Sequence, residues 1–82
     1  MTTPERRDAT ARRLLINRLV AERHRQGITQ VQMAAMLGTT QSNISQFESL
    51  GNGDQPRLTT LMRYARALGG TITFTLTPEE ES

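Results

Sequence analysis

Apolar residues recur along this 82-residue chain with two different periods, and the change of period divides it. Leu15, Ile16, Leu19 and Val20 fall at i, i+1, i+4 and i+5, a single helical stripe. Thr3-Pro4-Glu5 supplies a start for that helix: a hydroxyl cap, a proline at the first helical position and an acid behind it. Gly27 supplies its stop, and Arg25 suits the negative end of its last turn. Thr29 caps a second, short helix over Gln30 to Leu37, with Met33, Ala34 and Leu37 on one face and Gly38 behind it. Thr40 caps a third, from Gln41 to about Ser49, whose apolar positions are Ile44 and Phe47. Gly51 to Pro56 has the composition of a loop. Leu58, Leu61, Met62, Ala65 and Leu68 then form the buried stripe of a fourth helix, closed by Gly69-Gly70. From Thr71 to Thr77 the period drops to two, and the alternation of threonine with Ile72, Phe74 and Leu76 predicts a half-buried strand. Pro78 and three glutamates, Glu79 to Glu81, follow it.

The second and third helices each run under three turns, too short to be stable alone. They need a compact crossing that buries Met33, Leu37, Ile44 and Phe47 together. Ala34 is small where the two approach, and Gly38 permits the sharp turn between them, a helix-turn-helix arrangement. The strand has the opposite difficulty, because no other segment reads as its partner and both its edges are left unpaired. The same segment of a second copy is the simplest partner, since an antiparallel pair is self-complementary about a two-fold axis. Ile72, Phe74 and Leu76 would then pack down on the helices. A strand lying against the fourth helix of its own chain, or a frayed tail, is the alternative. The chain thus divides into residues 1–10, an N-terminal extension or the start of the first helix; a helical domain over 11–70; a dimerisation strand over 71–77; and an acidic tail over 78–82.

Composition narrows the chemistry. No apolar run approaches the ~18 residues that cross a bilayer, and no signal peptide opens the chain. Cysteine is absent, which removes disulfides and thiolate chemistry, and the single histidine, His24, cannot assemble a metal cluster or a catalytic triad. The expectation is a soluble cytoplasmic module without metal, cofactor, membrane partner or enzymatic activity. The charge carries more information. All ten basic residues are arginines, and all lie in residues 6 to 66. Against them up to residue 66 stand five acids, Glu5, Asp8, Glu22, Glu48 and Asp54, which leaves that stretch at +5. A basic body suits a polyanion, and the guanidinium fork fits phosphate. Arg6, Arg7, Arg12, Arg13 and Arg18 extend along the first helix, either as a solvated face or as a reach to flanking phosphates.

The outer face of the third helix is Gln41, Ser42, Ser45 and Gln46, with Asn43 beside it. These uncharged groups both donate and accept hydrogen bonds, where a merely solvated face would more often carry lysine, glutamate and arginine. A surface that enters a major groove needs such groups, since glutamine pairs with the adenine edge through two bonds, worth ~1–3 kcal/mol of discrimination.

Residues 28–48, with Pro56 to Leu61 and Tyr64 to Gly69, closely resemble the Cro/C1 (phage-repressor, Xre) helix-turn-helix family. The resemblance implies an all-α, lambda-repressor-like domain of four to five helices, here with a C-terminal β-strand paired between subunits. It implies base contacts by Gln41, Ser42, Gln46 and Thr40, and phosphate contacts by Gln30, Thr29, Asn43 and Arg57. It also implies a structural pair, Arg23 with Glu48, tying the first helix to the third. The loop after Glu48 is about two residues longer than the family's pattern, which displaces Arg57, and the strand stands where phage repressors have a fifth helix. The tail of helix, Gly-Gly and strand resembles that of HipB- and HigA-type antitoxins. The expected function is a dimeric, nucleoid-associated repressor of bacterial or phage origin on a palindromic double-stranded DNA operator. It would be the antitoxin of a toxin–antitoxin operon, with a cognate toxin as partner. A stand-alone phage or host regulator, or an adaptor that kept the fold without reading DNA, are the rivals.

Overall fold

Three threonines set where the helices begin. In the computed structural model, which describes residues 3–50 and 55–78, Thr3, Thr29 and Thr40 are the N-caps of α1 (Pro4–Arg25), α2 (Gln30–Leu37) and α3 (Gln41–Ser49); α4 (Leu58–Ala67) completes the set. Each threonine oxygen accepts from a backbone N–H in the first turn, from Arg6, Gln32 and Asn43 at 3.1, 3.0 and 3.1 Å. At α2 the bond is reciprocated, because the Gln32 side chain accepts from the Thr29 N–H at 2.8 Å. Gly38 ends α2 in the left-handed conformation at φ 66°, which permits α3 to leave at once in a new direction.

The core gathers one face of every helix: Ile16 and Leu19 from α1, Met33 and Ala34 from α2, Ile44 and Phe47 from α3, and Leu61, Tyr64 and Ala65 from α4. Leu68, just past α4, closes it. Fully burying one of the larger of these side chains stabilises the fold by ~1.5–3 kcal/mol. Phe47 and Tyr64 stack with ring centroids 5.0 Å apart, fastening α3 to α4. The α4 stripe differs from its expectation at both ends of the size scale. Leu58 is half exposed at the first position of the helix, and Tyr64, absent from the expected stripe, is completely buried.

The architecture is all-helical. Among the described residues there is no strand, so the β-strand expected over 71–77 is not formed. The physical reason is the one that alternation cannot supply: an extended segment becomes a strand only through a neighbour that completes its backbone bonds, and no described segment lies alongside as one. Only Ile72 of the three apolar positions packs on the core. Phe74 is 61% and Leu76 94% exposed, so the expectation that all three pack down fails beyond Ile72. The segment leaves α4 beside Gln26 and runs along a groove of about 640 Å³ bordered by Leu15, Arg18 and Glu22 of α1 and by Ile72 and Thr73. Residues 4–10 form the first turns of α1. The loop reading over 51–54 and the glutamates 79–81 lie outside the described residues.

Candidate nucleic-acid interface

The third helix reaches its position through charge buried beneath it. Arg23, 4% exposed in α1, donates to both carboxylate oxygens of Glu48 in α3, from Nε at 2.8 Å and from a terminal nitrogen at 2.9 Å. Its other terminal nitrogen donates to the Ile28 carbonyl at 2.7 Å, and the Tyr64 hydroxyl accepts from its Nε at 3.2 Å. The same hydroxyl donates to Glu48 at 2.6 Å. Burial would raise the Glu48 carboxyl; the bonds from Arg23, Tyr64 and Gln30 outweigh it and hold the group below the usual carboxylate range. Burial, and then the carboxylate it faces, push the Tyr64 hydroxyl up. Tyr64 was legible in principle, three residues after Leu61 and four before Leu68 on one helical face, but its ring hides a polar task the apolar count does not reveal.

Glu48 also orients the outer surface. The Gln30 side-chain amide nitrogen donates to it at 3.0 Å, and the Gln30 oxygen accepts from the Gln41 amide nitrogen at 2.8 Å. A carboxylate accepts only, so the direction of the whole relay is settled at its buried end. Gln30 must turn its NH2 inward and its carbonyl outward, and Gln41 must then turn its NH2 toward Gln30. Gln41 is left presenting its carbonyl oxygen and its second N–H to the outside, the complement of an adenine edge, which offers an N6 donor beside an N7 acceptor. The Gln30 amide is thus engaged by both Glu48 and Gln41 and keeps one N–H for an outside group.

Gln41, Ser42, Asn43 and Gln46 are all exposed on α3, with Ser45 half-buried between them. Asn43 donates to the Thr39 hydroxyl at 2.8 Å, and Thr40 and Thr29 are occupied as caps at the exposed starts of α3 and α2. The Gln41–Gln30 bond joins the start of α3 to the start of α2, which Thr40 and Thr29 cap. Arg57 is exposed at the N-cap of α4, with no side-chain capping bond.

Several arginines are turned toward the protein itself. Arg13 donates to the carbonyls of Leu50 and Glu48 at 2.7 and 2.9 Å, and Arg63 to the Leu37 carbonyl at 2.8 Å. Arg12 is half-buried on the core side of α1 rather than a solvated face, and its Nε is buried without a bond. Arg25 pairs with Glu22. The cations available to a polyanion are thus fewer than the composition promises.

Residues 19–74 match the helix-turn-helix family profile. Antitoxin HigA1 of Mycobacterium tuberculosis, in two strains, is 38% identical over 69 residues, which cover 84% of this chain and 45% of the relative. The chain therefore spans about half the length of the curated relatives it matches. No solved structure matches it.

Proposed function

The chain belongs to the helix-turn-helix family of the Cro/C1 (Xre) type, and from that premise we propose that it is a sequence-specific repressor of double-stranded DNA, dimeric on a palindromic operator, and an antitoxin. In this reading α3 enters the major groove. Gln41, Ser42, Gln46 and Thr40 meet base edges, while Thr29, Asn43, Arg57 and the remaining N–H of Gln30 meet phosphates. The observation that carries it is the oriented Gln41 amide on an exposed, uncharged helix face. An adaptor that does not read DNA has no use for such an orientation, and a solvated helix would spend those positions on charge.

The dimer rests on the segment after α4. Phe74 and Leu76 are exposed apolar groups on a stretch without regular structure, and antiparallel pairing with a second copy would cover them and satisfy the backbone between. Two recognition helices about one turn of DNA apart would then read a palindrome. The toxin partner rests on the likeness to Antitoxin HigA1. We read the protein as a cytoplasmic binder and not an enzyme. No described helix is long and apolar enough to cross a membrane.

Selection from randomised duplexes at modest ionic strength tests the reading. The native protein should return a motif with adenine at a fixed position, and Gln41→Ala with Gln46→Ala should erase that preference while the fold persists. A folded protein that returns no motif is an adaptor. Sedimentation with and without residues 71–82 tests the dimer: a monomer in both removes it.

A further inference from the structure

The first fifteen residues of α1, 4–18, precede the stretch that matches the family, 19–74. They contribute Ile16 to the core, yet α1 continues well beyond it. From this overhang Arg13 crosses to the opposite end of α3, using every edge of its guanidinium: Nε to the Asn17 oxygen one turn along at 3.1 Å, and the two terminal nitrogens to the Leu50 and Glu48 carbonyls.

Those two carbonyls, of Glu48 in the last turn and of the C-cap Leu50, are among those that α3 cannot satisfy itself. The last carbonyls of a helix have no intrahelical donor, and α3 ends in an extended Leu50 whose own N–H returns only to Phe47. A cation there also meets the negative end of the helix. Two parallel bonds from one planar fork fix the last turn in rotation as well as in place, and Asn17 holds the plane of the fork. Nine residues make a rod of about 13 Å, so a shift at Leu50 reappears at the other end, where Gln41 sits. Arg23 holds the side of α3 through the Glu48 carboxylate; Arg13 holds its end through the backbone.

We infer that Arg13 is a positioning residue for the recognition helix, acting on DNA only through α3 and touching no phosphate. The inference rests on the DNA-reading function proposed above. Its test uses the full chain, the duplex recovered by selection and a scrambled duplex of equal length, each titrated over a salt series. Arg13→Ala should weaken binding to the selected duplex by about tenfold, the lower part of the range that one good base contact supplies. The scrambled duplex and the salt slope should be unaffected. Arg13→Lys keeps the charge and loses the fork, so it should show the same loss of preference with the same slope, and it covers the case in which the alanine variant does not fold. A slope lowered by ~0.9 in Arg13→Ala, with equal weakening on both duplexes, would make Arg13 a phosphate contact. An unaltered ratio of the two affinities in both variants would also overturn the inference. Should the unmutated protein itself fail to distinguish the duplexes, the DNA-reading proposal falls instead.

Discussion

The two sides of α3 are built on opposite principles. Its inner side and C-terminal end are held by Arg13, Arg23 and Tyr64, drawn from two other helices, with the carboxylate of Glu48 at the centre. Its outer side and N-terminal end carry Gln41, Ser42 and Gln46, exposed amides and a hydroxyl whose only long-range tie among the described residues is the single bond from Gln41 to Gln30. The contrast separates stability from recognition along one helix of nine residues. Substitutions at the buried Arg23–Glu48–Tyr64 cluster should destabilise the fold, those at the Arg13 clamp should misplace the helix, and those on the second side should change what it binds.

The largest effect is expected from Glu48→Ala. It strands the buried Arg23 guanidinium and leaves the Tyr64 hydroxyl and Gln30 without their acceptor, a loss of ~3–5 kcal/mol for a pair broken from one side. In so small a domain that is a large share of the total, and thermal or urea unfolding should show it directly. Acid is a gentler version of the same break. The folded carboxyl is held below its unfolded value, so its stabilisation is fully present above about pH 4.3 and is lost as pH falls through the folded value. Melting temperature should drop in that acid window in the native chain, and Glu48→Gln should flatten the drop. Glu22, held at about 2 mainly by the Arg25 hydrogen bond, titrates in the same direction at a more exposed position.

On the reading side, Gln41→Ala and Gln46→Ala should each cost ~1–3 kcal/mol of base discrimination if each makes one good pair. Unfolding should move by no more than ~0.5 kcal/mol, as for other surface changes. Equilibrium binding to selected and scrambled duplexes, beside a melt, measures both. A matching loss of stability would erase the division between the two sides of the helix.

That division also marks what the sequence could and could not disclose. Helix limits were legible because their signals are local: Thr3, Thr29 and Thr40 each cap within three residues of themselves, and Gly38 needs only its own backbone. The outer face of α3 was legible for the same reason. Arg13 was not, because a guanidinium that closes a helix 35 to 37 residues away is spelled the same as one that faces solvent. Arg63 on the Leu37 carbonyl and Gln26 on the Leu68 carbonyl repeat the lesson, so the ends of α2, α3 and α4 are each finished by a donor distant in sequence. Counting arginines as phosphate ligands therefore overstates the cationic surface. Threonine alternation after Gly70 misled in the other direction, since a two-residue period describes a segment ready to pair and says nothing about whether a neighbour is present.

The smallest effect sharpens the comparison most, because Gln30 is the one side chain that belongs to both sides. Gln30→Ala removes one of the donors to Glu48 and the acceptor that turns Gln41. Arg23 and Tyr64 still satisfy the carboxylate, so stability should fall by only ~0.5–1.5 kcal/mol, the net worth of an ordinary hydrogen bond. Freed from its anchor, the Gln41 amide can present either end outward. Preference at its base should weaken without disappearing, whereas Gln41→Ala abolishes it. Gln30→Glu separates orientation from contact, because a carboxylate still accepts from Gln41 but places a second negative group against Glu48. It should preserve the base preference while lowering both stability and overall affinity, since the repulsion falls on the anchored side and a remaining N–H toward phosphate is gone. Binding profiles for the two variants on duplexes that differ only at the Gln41 base decide it. Equal loss of preference in both would mean that Gln41 reads its base without direction from the buried carboxylate.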